Sequence, residues 1–263
     1  MNVKMSKIVA VHSYKGGTGK TLLSVNLAAT FAKHGKKVCL FDLDFRAPSL
    51  FAILKVENAE CWLNDYLNGK CSIDKVLIDL SSRLQGNGNF YVALANPTTE
   101  AIREMSAKDR KWEMHALGRL LSLRNTLLND QEFDYLIFDT SPGLQYSSIN
   151  AIVTADFVVV ATTGDRSDVN GTRRMLRELY NLFEKKTGLV MNKVLDPTSK
   201  SRNDEMDKRI KNVYQVPMLG LVPCFCEILR AEGNLIFVQD KPNHPFTKIL
   251  DEMARKIENN EVN

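Results

Sequence analysis

The sequence predicts an α/β fold in which a doubly wound, mostly parallel sheet is flanked by helices. Three observations carry that prediction. Apolar runs of strand length recur at 8–11, 38–41, 135–138, 157–161 and 189–191. Stretches of helical period stand between them, beginning with LLSVNLAATFAKHG at 22–35. Glycine-rich or acidic turns close several of the runs, as at 15–19, 42–44 and 139–143. A continuous apolar run marks a strand buried on both faces, which is what a parallel sheet covered by helices requires. The site of such a sheet lies beyond the carboxyl ends of its strands.

Ile8-Val9-Ala10-Val11 is the first strand, and His12 reads as a packed core histidine. The run ends in Lys15-Gly16-Gly17-Thr18-Gly19-Lys20-Thr21, and a helix follows. Strand, glycine loop and helix in that order are the context of a phosphate-binding loop. Its glycines let backbone N–H groups turn inward around a polyphosphate, and the helix N-terminus adds positive dipole. Lys20 is then placed for the β- and γ-phosphates and the Thr21 hydroxyl for Mg²⁺. Tyr14 stands where the usual pattern has its first glycine, and a second lysine, Lys15, directly precedes the glycine pair.

The second strand, 36–42, runs into Asp42-Leu43-Asp44-Phe45-Arg46. Carboxylates at i and i+2 leave a strand end on the same side, where a Mg²⁺ and an attacking water fit. Residues 48–80 are expected to be mostly helical, with helices over 61–69 and 73–82 and Gly69 as a stop. A turn at 85–89 leads to a strand at 90–95. Residues 98–112 read as an exposed loop and a helix start, and 112–130 as a long helix. Apolar 133–138 leads to Asp139 and then Thr140-Ser141-Pro142-Gly143, a strand whose carboxylate holds Mg²⁺ through water. A strand at 155–161 and a helix at 167–185, interrupted at Gly171, come next. Leu189-Val190-Met191 ends in Asn192-Lys193, and polar 196–212 is expected to be helical from Ser201. Residues 218–223 form the last strand. Pro245 opens a final helix with Phe246, Ile249, Leu250, Met253 and Ile257 at helical spacing.

The loop Lys15–Thr21 resembles the KGGxGK[ST] signature of the deviant P-loop ATPases of the ParA/MinD family. The resemblance spans roughly residues 5–257 and implies a P-loop NTPase fold with ATP and Mg²⁺ as ligands. It places Gly16, Gly17, Thr18, Gly19, Lys20 and Thr21 around the phosphates. Lys15 would reach across a dimer interface to the partner's nucleotide. Asp42 would belong to the metal's outer shell, Asp44 would position the hydrolytic water, and Asp139 would hold the metal with Thr21. Gly143, in a segment close to the family's D-x-x-P-G, would offer its N–H to the γ-phosphate. Asn192 would read the adenine edge, and Pro223, in a segment matching L-G-x-I-P, would lie beside the base. The implied activity is slow, partner-stimulated ATP hydrolysis in a switch that forms a sandwich homodimer. Its implied job is DNA segregation or intracellular positioning, with an unidentified activating or cargo protein.

Composition sets wider bounds. With 263 residues, 44% hydrophobic and 25% charged, the chain suits one domain over 1–263 with a polar tail at 258–263. A net charge of +4 permits contact with nucleic acid or anionic lipid without demanding it. Five cysteines at irregular spacing and no secretory leader point to the cytoplasm. The polar, slightly acidic tail differs from a basic amphipathic membrane anchor, so membrane binding is not expected. Arg166, Arg173, Arg174, Arg177, Lys185 and Lys186 gather around one helix, either as a DNA surface or as a solvated face. Cys224-Phe225-Cys226 reads as packed thiols. Its alternative, a pair binding metal across a dimer axis, would make the chain a metallochaperone or cofactor-insertion ATPase. A scaffold that binds ATP without hydrolysing it is the other alternative.

Overall fold

Eight strands make one sheet in the order β3-β4-β2-β5-β1-β6-β7-β8. They are β1 Lys7–His12, β2 Lys37–Leu43, β3 Leu77–Asp79, β4 Asn89–Ala93, β5 Tyr135–Thr140, β6 Phe157–Thr162, β7 Lys186–Val194 and β8 Met218–Pro223. Every pairing is parallel except that of edge strand β3 with β4. This is a computed structural model, and it describes residues 6–180, 183–195, 208, 210–231 and 236–260.

Alternation within the strands builds two cores. Ile8 and Ala10 of β1 face one apolar cluster with α3 (Leu63–Leu67), α5 (Arg110–Leu123), α6 (Tyr146–Thr154) and α7 (Arg166–Met175). Val9 and Val11 face the other, with α1 (Lys20–Lys33) and the last helix, Pro245–Asn259. Both faces are therefore dry, as the unbroken apolar runs require. In the last helix Phe246, Leu250, Met253 and Ile257 are fully buried, so the predicted stripe docks on the core. Lys7 ties that helix to β1, its Nζ donating to Ile257 O at 2.5 Å and Glu258 O at 2.9 Å.

The structure departs from expectation in three places. Residues 73–82 are not one α-helix but a 3-10 turn, Ile73–Lys75, then β3 and the start of a second 3-10 turn, Ser81–Arg83. The apolar residues of β3 fit both periods, and the open edge of β4 decides in favour of a strand, pairing Leu77 with Ala93. The expected loop at 98–112 holds a helix of its own, α4 (Thr99–Ser106), between the short α2 (Leu50–Ile53) and α3 before it and α5 after it. Two caps set these boundaries, Thr98 accepting from Ala101 N and Asp109 accepting from Trp112 N. Gly171 does not interrupt its helix. It is buried within α7, where a side chain would collide with the Tyr14 ring. The helix expected from Ser201 falls mostly outside the described residues.

Candidate functional site

β1, β2, β5, β7 and β8 carry the predicted residues at or just beyond their carboxyl ends. The loop after β1 turns through Gly17 at φ +79° and Gly19 at φ +93°, backbone that a glycine adopts freely. Gly19 caps α1 without a side-chain bond, and no acid stands in the first turn of α1. The open N–H groups of that turn are a ready anion site. The buried Thr18 hydroxyl has no partner. Lys20 is only 7% exposed. Burial lowers its pKa, against the opposing pull of Asp139, Asp44 and Asp168.

Asp42 and Asp139 are register partners on adjacent strands, and both are buried. Asp42 accepts from Asp44 N at 3.2 Å and Leu50 N at 3.3 Å. Burial, and then the neighbouring Asp139, push its pKa well up. Asp139 is pushed up to about 6 by burial, while hydrogen bonds from Thr21 and Ser24 and the Lys20 charge oppose the rise. The Ser24 bond measures 2.9 Å. Two desolvated carboxylates side by side, with a threonine hydroxyl on one of them, are a donor set that a hard divalent cation relieves. Asp44 is half-buried and lines a 440 Å³ cavity together with Gly16, Gly17, Lys20, Thr21, Arg46 and Pro142.

Other predicted residues are placed differently. Lys15 turns away from the cavity, its Nζ 3.3 Å from Asp165 Oδ1 and 3.1 Å from Ser167 Oγ. Asp165 caps α7 by accepting from Ser167 N and Asp168 N. The Ser167 hydroxyl, the Asp168 N–H and Lys15 hold its carboxyl down to about 2. Gly143 does not present a free N–H. At φ +78° the turn after β5 folds back, and that N–H donates to Ser13 O at 2.9 Å. Asn192 already has partners within the protein. It is buried, and its Nδ2 donates to Thr18 O at 2.7 Å. Pro223 is half-buried at the end of β8, register partner of Val194. His12 is buried, with Nδ1 2.8 Å from Thr140 Oγ1. Burial and then Lys20 push its pKa down to about 3, so the ring is neutral.

Sequence reasoning missed Ser24, Asp165, Ser167 and the seat of Tyr14 on Gly171. Only Asp165 left a signal, as an acid at a helix start. The packed-thiol reading of Cys224 and Cys226 does not hold, since both are exposed. The metal reading is not supported either, because among the described residues no group of three or more His, Cys, Asp or Glu is gathered for a metal.

A family profile described as an AAA domain matches residues 6–196. The chain is 27% identical over 256 residues to a septum site-determining protein MinD of Thermotoga maritima, covering 96% of this chain and 88% of the relative. It is 29% identical over 262 residues to a MinD of Synechocystis, covering 98% and 91%. Among solved structures it resembles a MinD in complex with Mg-ADP from Pyrococcus horikoshii, with TM-score 0.75, 22% identity and 98% of each chain covered. A putative plasmid partition protein of Borrelia burgdorferi bound to AMPPNP has TM-score 0.70 at 19% identity, covering 97% of this chain and 99% of that one. At these identities the two structures speak for the fold.

Proposed function

The chain belongs to the ParA/MinD family of P-loop ATPases, and from that premise we propose an ATP-hydrolysing switch that closes into a sandwich dimer when ATP is bound. The observation that carries this reading is the division of labour between the two loop lysines. Lys20 is buried at the start of α1 among acids, whereas the Lys15 side chain is 51% exposed and held only by surface groups. The first is placed for its own phosphates, and the second is free to leave.

In this reading the loop N–H groups and Lys20 bind the β- and γ-phosphates. The Thr21 hydroxyl would ligate Mg²⁺, and Asp42 and Asp139 would hold its waters, so that the metal would supply charge neutralisation at the phosphate oxygens. Asp44 orients the attacking water in the cavity it lines. Gly143 serves the γ-phosphate only after its N–H gives up Ser13 O, so this segment moves with nucleotide state. Lys15 exchanges Asp165 and Ser167 for the phosphates of the second copy. Turnover is slow, and a protein partner accelerates it.

The relatives named above are septum site-determining proteins. The job we infer is likewise spatial, segregating DNA or positioning a cellular structure in the cytoplasm. Arg173, Arg174 and Arg177 are exposed on and just beyond α7, a basic face that suits non-specific DNA contact. Among the described residues no helix is long and apolar enough to cross a membrane, and the proposed cycle uses no membrane anchor.

The test is sizing and DNA retention with ATP and with ADP, at two salt concentrations, on wild type and Lys15→Ala. The expected result is an ATP-dependent dimer, absent in Lys15→Ala, that holds DNA at low salt only. A dimer that ignores DNA moves the job to a protein cargo. No dimer with ATP removes the switch reading.

A further inference from the structure

The phosphate loop needs something to hold its outside. In a loop whose successive N–H groups turn inward around an anion, the carbonyls turn outward and need donors of their own. Two of them, Gly17 O and Thr18 O, are met by consecutive residues from the far end of the chain. Lys193 Nζ donates to Gly17 O at 2.8 Å, and Asn192 Nδ2 donates to Thr18 O at 2.7 Å.

Three features bring these two residues there. The β7–β8 register shifts between Met191 and Val194, an irregularity that re-aims the side chains there. Lys193 lies at φ +58°, a left-handed backbone that lysine rarely adopts and that persists only when its surroundings enforce it. Asn192 Oδ1 accepts the backbone N–H of Lys193 at 2.9 Å, which fixes the amide with its nitrogen toward the loop. Gly19 completes the fit, because a side chain there would collide with Asn192 Nδ2.

We propose that Asn192 and Lys193 form a brace on the outer wall of the phosphate loop, with Lys193 as a positioning residue that keeps the loop in its anion-ready shape. The inference rests on the nucleotide reading of the loop and deepens it. It also changes the part played by Asn192. With Oδ1 and one amide hydrogen committed, a single hydrogen remains for an acceptor on the base. The brace binds carbonyls and not the ligand, so it acts on affinity and leaves the hydrolytic step alone.

The test measures binding of fluorescent mant-ADP with Mg²⁺ to wild type, Lys193→Met, Lys193→Gly, Lys193→Arg and Lys20→Met, alongside melting without nucleotide. Loss of a charge-assisted bond in Lys193→Met and Lys193→Gly is expected to weaken binding on the order of tenfold. KM for ATP should rise with kcat unchanged. Lys193→Arg should recover most of the loss. The Gly variant should melt no lower than wild type, since glycine accepts the left-handed backbone. Wild-type affinity in both the Met and Gly variants overturns the brace, as does an equal loss in all three substitutions with lowered melting. Wild-type binding that Lys20→Met removes keeps the phosphate-loop reading standing in either case. Failure of wild type to bind brings down both.

Discussion

The two halves of the site are built by opposite means. On the β2-β5 side the functional groups are buried carboxylates packed against each other, Asp42 and Asp139, with Lys20 beside them. On the β6-β7 side they are exposed lysines on hydrogen-bond acceptors, Lys15 on Asp165 and Lys193 on Gly17 O. Desolvated charge makes strong, fixed interactions and suits metal and phosphate chemistry. The exposed Lys15–Asp165 ion pair is worth little and exchanges readily, which suits a contact that must break when a second copy arrives. The contrast predicts that damage on the first side changes chemistry and damage on the second changes conformation.

The largest expected effect belongs to Asp44→Ala. Phosphate release should fall about a hundredfold or more, while the ATP-bound dimer persists. Single-turnover hydrolysis with sizing checks this, and unchanged hydrolysis would favour the ATP-binding scaffold.

Asp139→Asn sharpens the contrast through pH. The folded-state pKa of Asp139 is raised to about 6 from 3.8. Its folded form therefore holds the proton more tightly than the unfolded chain. The stabilising contribution of this group is present at low pH and is lost as pH rises from about 4 through about 6. At pH 7 without metal, Asp139→Asn should raise the melting temperature, and the gain should vanish near pH 4. The same variant should lose the stabilisation that Mg²⁺ with nucleotide brings to wild type. Melting curves against pH, with and without Mg-ADP, measure both.

A smaller effect is expected on the conformational side. Gly171→Ala forces the Tyr14 ring off α7, at a cost of about 1–3 kcal/mol typical of overpacking. Tyr14→Ala in the same chain should restore the stability lost to the clash. A single variant as stable as wild type would mean that Tyr14 moves aside freely.

The β2-β5 side was also the more legible in sequence. Asp42, Asp44 and Asp139 were found because an apolar run ending in an acid is local information, and so was the glycine loop. Strand β3 escaped because its apolar residues fit two periods, and only an unpaired neighbour chose between them. The committed N–H of Gly143 and the committed amide of Asn192 escaped because their partners, Ser13 and Thr18, lie 130 and 174 residues away in the chain.

By itself the sequence determined the strands of the sheet other than β3, the phosphate loop and the acids at the strand ends, since each follows from hydrophobic period and short spacing within one segment. Tertiary structure alone decided what those residues touch. It paired Asp42 with Asp139, parked Lys15 on Asp165, seated Tyr14 on Gly171 and brought a left-handed Lys193 to the loop. The physical reason is that hydrogen bonds and ion pairs form between whatever groups packing brings within reach, and packing joins segments whose spacing along the chain carries no record of it.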